Sequence, residues 1–207
     1  MSKSSVIYYV RHGESEANVS RVFSHKVVDH ELTDLGWKQA RQVADFLGNE
    51  AAGCGAIYAS PLRRAIQTAT PISERLGRPA EIIEEFRELN VGAFDGRSID
   101  EHLDAWWAVI DAWASGARDT RFPGGENHLE LTERIKRGID RVLKPRHDGP
   151  HIIVAHAGVL RAGFSGFANA APPHRLAIPN CSVSRIDVDS RGCTYSFAYT
   201  ARSDFLS

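Results

Sequence analysis

His151-Ile152-Ile153-Val154-Ala155-His156-Ala157-Gly158 is the stretch on which the fold turns. Its unbroken apolar run, Ile152–Ala155, predicts a strand buried on both faces, as in a parallel sheet covered by helices. A second run of this kind, Val6–Val10, ends on Arg11-His12-Gly13-Glu14-Ser15. Between them the pattern alternates. Ala40, Val43, Ala44 and Leu47 carry the spacing of one helix face within a helix expected over Thr33–Leu47. Ala56–Ala59 reads as a short strand, and Ser60-Pro61 as the N-cap and first residue of a helix bearing Leu62, Ala65, Ile66 and Ala69. Pro71 should kink or restart that helix, and Gly77 should end it. Ala80–Ile83 is a third strand; Ile99–Ala114, Glu126–Leu143 and Val159–Ala168 are helices; Ser182–Val188 and Thr194–Tyr199 are late strands around a turn at Asp189–Gly192.

This alternation predicts a three-layer α/β/α sandwich with a mostly parallel central sheet. The 207 residues fit one domain spanning 1–207, with a Trp-rich helical insertion over the sheet at about residues 92–125. Lys plus Arg is 25 and Asp plus Glu is 26, a balance that excludes a polybasic nucleic-acid or membrane binder but not a small cationic site. Val6–Val10 is too short for a signal core or a membrane span. Cys54, Cys181 and Cys193 have no CxxC spacing, so reduced, buried thiols and a cytoplasmic address are expected.

Sites in open α/β sheets form beyond the carboxyl ends of the strands. Those ends offer Arg11-His12-Gly13, Ser60-Pro61-Leu62-Arg63-Arg64, Arg87-Glu88 and His156-Ala157-Gly158. Arginine forks suit phosphate oxygens. Glycines at 13 and 158 let main-chain N–H groups approach an anion. Two histidines, several arginines and one carboxylate thus describe an anion site holding a nucleophile or base.

Six blocks in order resemble the histidine phosphatase superfamily, also called the phosphoglycerate mutase-like family. They are Arg11-His12-Gly13-Glu14-Ser15 with Asn18; Leu32-Thr33 with Gly36, Gln39 and Ala40; Ser60 to Ala69; Glu88 to Gly96; Pro123-Gly124-Gly125-Glu126; and Val154 to Arg161. The resemblance implies that His12 is the nucleophile and becomes a phosphohistidine. It implies that Arg11 and Arg63 hold phosphoryl oxygens, with His156 as a charged donor beside them. Glu88 would protonate the leaving group and then help activate water, and Asn18 would donate to a phosphate oxygen. Arg64, next to Arg63, is not assigned to the site. Asp95 would be a structural acid.

Ser24 falls where the family has a phosphate or substrate contact. His25 occupies a position usually held by Gly, either as a pocket contact or as a loop residue at the rim. Ala157 stands where Gly is usual, and is counted with Asn18, Ser24 and His25 among the substrate-binding candidates. Trp106, Ile110 and Trp113 share one helical face, which either packs on the core or covers the site. Asp29-His30-Glu31 with His25 fits no standard ligand spacing, so neither metal nor cofactor is expected.

Glu88 and His156 are 68 positions apart, short for the mutase branch. The expected activity is therefore hydrolysis of a small phosphomonoester by a metal-independent, acid-type phosphatase. The alternatives are a phosphoglycerate mutase-type phosphotransferase and a non-catalytic phospho-ligand-binding module. No nucleic-acid or membrane partner is expected, and a homodimer is left open.

Overall fold

The computed structural model describes residues 5–144, 149–168, 173–189 and 194–206. A six-stranded sheet forms its middle layer. The strands are β1 (Ser5–Arg11), β2 (Ala56–Ala59), β3 (Ala80–Ile82), β4 (His151–Ala155), β5 (Val183–Val188) and β6 (Tyr195–Arg202), in spatial order β3-β2-β4-β1-β5-β6. The β1–β4, β2–β4 and β2–β3 pairs are parallel; β1–β5 and β5–β6 are antiparallel. The sheet is thus mixed and mostly parallel, with the two antiparallel pairs at its chain-terminal end. The turn expected at Asp189–Gly192 falls, apart from Asp189, outside the described residues, as does Cys193.

Alternation along the strands divides the core in two. After the short helix α1 (Glu16–Val19), two longer ones cover one face: Tyr8 and Val10 of β1, with Ile152 and Val154 of β4, pack beneath α2 (Asp34–Glu50) and α3 (Arg63–Leu76). Ile7 and Tyr9, with Ile153 and Ala155, pack on the other face beneath α4 (Ile99–Ala114) and α5 (His128–Val142). The expected apolar face of α2 is buried in full: Ala40, Val43, Ala44 and Leu47. Thr33 caps this helix by accepting from Gly36 N.

Three local expectations are corrected. Ser60-Pro61 does not open α3; the helix starts at Arg63 with Leu62 as N-cap, and Ser60 Oγ instead lies 2.7 Å from His156 Nε2. Neither does Pro71 restart it. The helix runs through Pro71, forgoing one main-chain bond, and ends at left-handed Gly77. The expected helix Val159–Ala168 is a π-helical turn, Val159–Gly163, followed by a 3-10 turn, Phe164–Gly166. Such widened turns concentrate at functional sites, and this one leads directly from the second histidine. Cys54 and Cys181 are buried thiols, pushed up by burial to about 11 and about 12. No helix among the described residues is long and apolar enough to cross a membrane.

Candidate active site

The nucleophile candidate sits one residue past β1. His12 N donates to Ala155 O of the neighbouring β4, so the two strand ends fix its backbone. Its ring is buried, with Nδ1 2.7 Å from Gly13 O and Nε2 3.1 Å from Arg64 Nε. A carbonyl only accepts and a guanidinium only donates. His12 is therefore the Nδ1–H tautomer, and its Nε2 lone pair faces the arginine. Burial, then the charges of Arg64 and Arg11, hold the imidazole well below its usual titration range. A neutral ring with an exposed lone pair is the nucleophilic form.

Arg63, expected to grip phosphate, does not reach the site. Its side chain is 62% exposed and pairs with Glu31 at 3.0 Å, while its main-chain N donates to Asp29. Arg64 occupies the site instead. It is 3% exposed and donates to His12 Nε2, to Ser24 Oγ (2.9 Å) and to Ser24 O (2.8 Å). The reason is helical phase. Ala65, Thr68, Ala69 and Ile72 form the buried face of α3, and Arg64 lies four residues before Thr68 on that face. Arg63 falls on the side of exposed Ile66 and Thr70. Thr68 Oγ1 completes the arrangement by donating to Arg64 O and accepting from Gly13 N.

Arg11 is buried. It donates through Nη1 to Ile178 O, and its Nε has no partner among the described residues. Burial pushes it down to about 10, still charged at neutral pH. His156 lies beside His12, ring centroids 5.2 Å apart, fully buried. Tyr9 Oη both donates to His156 O and accepts from His156 N, stapling its backbone. Burial, then Arg64, His12 and Arg11, push the His156 imidazole well below its usual titration range. Its Nδ1 has no partner among the described residues.

Glu88 stands on the opposite wall. Oε1 accepts from Leu89 N (2.8 Å) and Val159 N (3.2 Å), and Oε2 from Gly158 N (3.3 Å). A Cβ on Gly158 would lie 2.6 Å from Oε1, so this residue must be glycine for the carboxylate to seat. The loop carrying Glu88 hangs from a buried ion pair. Arg134 donates to Glu126 and to the carbonyls of Glu85 and Arg87, and Glu126 accepts from Asn90 N. The Pro123–Glu126 block thus acts by holding the loop of Glu88.

These groups border a cleft of ≈ 220 Å³. Arg11, His12, Asn18, Ser24, Arg64, Glu88 and Ala157 line it, whereas His156 lies behind the lining. Asn18 Oδ1 accepts from Ser15 and from Asn180 Nδ2, leaving its amide nitrogen as the half that can donate to a ligand. His25, expected among the pocket contacts, is not on this lining. Its Nδ1 is 2.7 Å from Glu88 O, and its ring faces a separate hollow beside Glu84 and Arg134. Asp95 accepts from the main-chain N of His25, Lys26 and Val27, a structural clamp as expected. The acidic cluster near His25 disperses: Asp29 and Glu31 serve Arg63, and His30 meets Glu16.

Along α4, the expected core face is partly right. Ile110 and Trp113 are buried in the core, while Ile99, Leu103 and Trp106 form an apolar wall of the cleft. Sequence reasoning missed Arg64, Asn180 and Arg161. The helical face of α3 carries a signal for Arg64. Asn180 follows an irregular segment with no periodicity. Arg161 lies inside a recognised block, yet only the π-helical turn brings it to the cleft, with its guanidinium 5.8 Å from the Trp106 ring.

The histidine phosphatase superfamily (branch 1) model matches residues 7–199. A relative from Hydrogenobacter thermophilus, provisionally named phosphoserine phosphatase 2, is 36% identical over 157 residues, 75% of each chain. A Proteus mirabilis relative, provisionally named phosphoglycerate mutase GpmB, is 35% identical over 189 residues, covering 87% of this chain and 84% of its own. The solved structure of YhfR from Bacillus stearothermophilus superposes with a TM-score of 0.81 at 26% identity, covering 98% and 100% of the two chains. Mycobacterial glucosyl-3-phosphoglycerate phosphatase shares the fold, with a TM-score of 0.81 at 23% identity over 97% and 100%. With a paired-histidine site at the ends of β1 and β4, and a family match that runs through all six strands, this chain belongs to the histidine phosphatase superfamily, branch 1.

Proposed function

We propose that the protein is a phosphomonoester hydrolase that works through a phosphohistidine on His12. The observation that carries this reading is the Nε2 lone pair of a buried, neutral His12, held by Arg64 in the cleft that Glu88 also lines. In this reading the incoming phosphate takes over the Arg64 donor, freeing Nε2. The lone pair attacks phosphorus, the bond to the ester oxygen breaks, and Glu88 gives that oxygen a proton. Water then attacks the phosphohistidine while Glu88 takes a proton from it, and the nitrogen regains its electron pair. Arg11, Arg64 and Asn18 stabilise the charge on the phosphoryl oxygens, with His156 behind them as a donor once that negative charge favours its protonation, a contribution that is usually the largest in phosphoryl transfer.

The substrate class is a small phosphomonoester whose alcohol part rests against Ile99, Leu103 and Trp106. Activity survives EDTA and persists on the acid side of neutrality, because His12 stays neutral there. The mutase-named relative supports a second reading, in which the phosphoryl group returns to another hydroxyl. One experiment separates them: p-nitrophenyl phosphate, alkyl phosphates, and 3-phosphoglycerate with 2,3-bisphosphoglycerate are supplied to wild type and His12→Ala. Wild type should release inorganic phosphate from the esters and carry an acid-labile phosphate on His12, and the variant should do neither. Turnover by His12→Ala near the wild-type rate sinks the reading, and isomerisation without phosphate release favours the mutase.

A further inference from the structure

The segment Ser24-His25 touches both ends of the proposed chemistry. Ser24 accepts two donors of Arg64, one at Oγ and one at the main-chain oxygen. The very next side chain, His25, lies 2.7 Å from the main-chain oxygen of Glu88. That oxygen can only accept, so His25 Nδ1 carries the proton. Resting on the hydrolase reading, we propose that His25 is a positioning residue that fixes the leaving-group acid Glu88 relative to the phosphate-gripping Arg64.

Each half of this link is specific. The Glu88 loop is held on its far side by Arg134, through the carbonyls of Glu85 and Arg87, and by Glu126 through Asn90 N. Those bonds skip Glu88 itself. Its main-chain oxygen is gripped by the His25 ring, and its carboxylate by the N–H groups of Leu89, Gly158 and Val159. The His25 loop keeps its shape without the ring: Asp95 binds three successive main-chain N–H groups, Arg87 donates to His25 O, and Gly96 N donates to Phe23 O. Removing the ring's N–H therefore releases Glu88 while the loop stays tethered. A side chain is required for this, and the glycine usual at the position cannot provide it.

The test compares release of alcohol from phenethyl phosphate, whose leaving group needs a proton, with release of p-nitrophenol, whose leaving group does not. Release is followed in a single turnover, so that it reads the phosphorylation of His12 alone. His25→Phe keeps a ring of similar size without the donor. It should slow the alkyl ester about tenfold more than the aryl ester, a part of the roughly 10²–10⁴-fold that general acid catalysis supplies. His25→Ala should shift the ratio in the same direction. His25→Asn carries an amide N–H on the same Cγ and should restore the ratio to within about threefold of wild type. Equal slowing of both esters, an unchanged ratio, or an Asn variant no better than Phe overturns the inference alone. Absence of alcohol release from both esters by wild type overturns the hydrolase reading and the inference with it.

Discussion

The layers on the two faces of the sheet are built from different materials. Under α2 and α3 the contacts are small: Ala40, Ala44, Ala65 and Ala69 sit among Val43, Leu47 and Ile72. Gly36 lies so close to the nucleophile loop that an added Cβ would fall 2.0 Å from Glu14 O. On the other face, Phe86, Trp113, Phe122 and Phe164 fill the core around α4 and α5. The first layer delivers Arg64, the proposed phosphate grip, from a regular helix. The second supports Glu88 and the apolar wall through loops, short turns and a buried ion pair. Short side chains let backbones approach and fix the proposed phosphate end, whereas large rings and irregular main chain shape the proposed alcohol end.

The largest expected effect separates two adjacent residues of α3. Arg64→Ala should lower kcat/KM for p-nitrophenyl phosphate by about 10²–10³, the range for losing a preorganised charge-stabilising donor. Arg63→Ala, which removes only an exposed ion pair, should stay within about threefold. Equal losses would break the assignment of the phosphate grip to Arg64.

Glu88→Gln probes the other wall. It should slow phenethyl phosphate by about 10²-fold and p-nitrophenyl phosphate distinctly less, because the latter leaves without a proton. Matching losses would mean that the two ends of the cleft do not divide their labour.

Acid should expose the contrast in stability. His12, His25, His128 and His156 are all held below their usual range, chiefly by burial, and none belongs to α2 or α3. Each binds its proton less readily when folded than when unfolded, where it titrates near 6.5, so the unfolded chain takes up more protons as pH falls through that range. The stability they provide is whole above about pH 7 and is lost as pH falls below 6.5 towards the folded values. Each costs up to about 1.4 kcal/mol per pH unit. Hydrogen exchange at pH 5.5 against pH 7 should show α5 and the Glu88 loop losing protection before α2 and α3. Uniform loss would show one cooperative unit.

The smallest expected effect concerns Gly36→Ala, which should cost roughly 1–3 kcal/mol in urea unfolding as the Glu14 main chain is forced aside. A neutral result would mean the small-residue layer yields more readily than its close contacts imply.

Much of this was legible in the sequence, and the legible part follows regular periodicity. The strands of the central sheet and the buried face of α2 come from apolar spacing, which a regular backbone translates directly into a face. The placement of His12 and Glu88 follows from the strand ends and the family blocks. What stayed hidden depends on angle or on irregular chain. Arg63 and Arg64 differ by about 100° around a helix, and choosing between them requires following the buried face from Ala65 and Thr68 backwards. The reach of Arg161 depends on a π-helical turn that ordinary helix spacing does not foresee. The backbone of His25 is held by the carboxylate of Asp95, 70 positions away, which accepts from its main-chain N, a bond that no local pattern encodes.

The pairing of Arg11 with Ala155 places the two histidines one residue beyond neighbouring strands of the same parallel pair. Hydrogen-bonded strands repeat at about 4.8 Å, and the two imidazole centroids are 5.2 Å apart. The sheet lattice therefore serves as a ruler whose single division separates the proposed nucleophile from its companion ring. Side-chain repacking leaves the spacing of the two backbones unchanged as long as the ladder holds. Surrounding loops can lengthen, shorten or change chemistry while the interval stays constant, so a new alcohol specificity can be grafted above the cleft with the phosphoryl chemistry left in register.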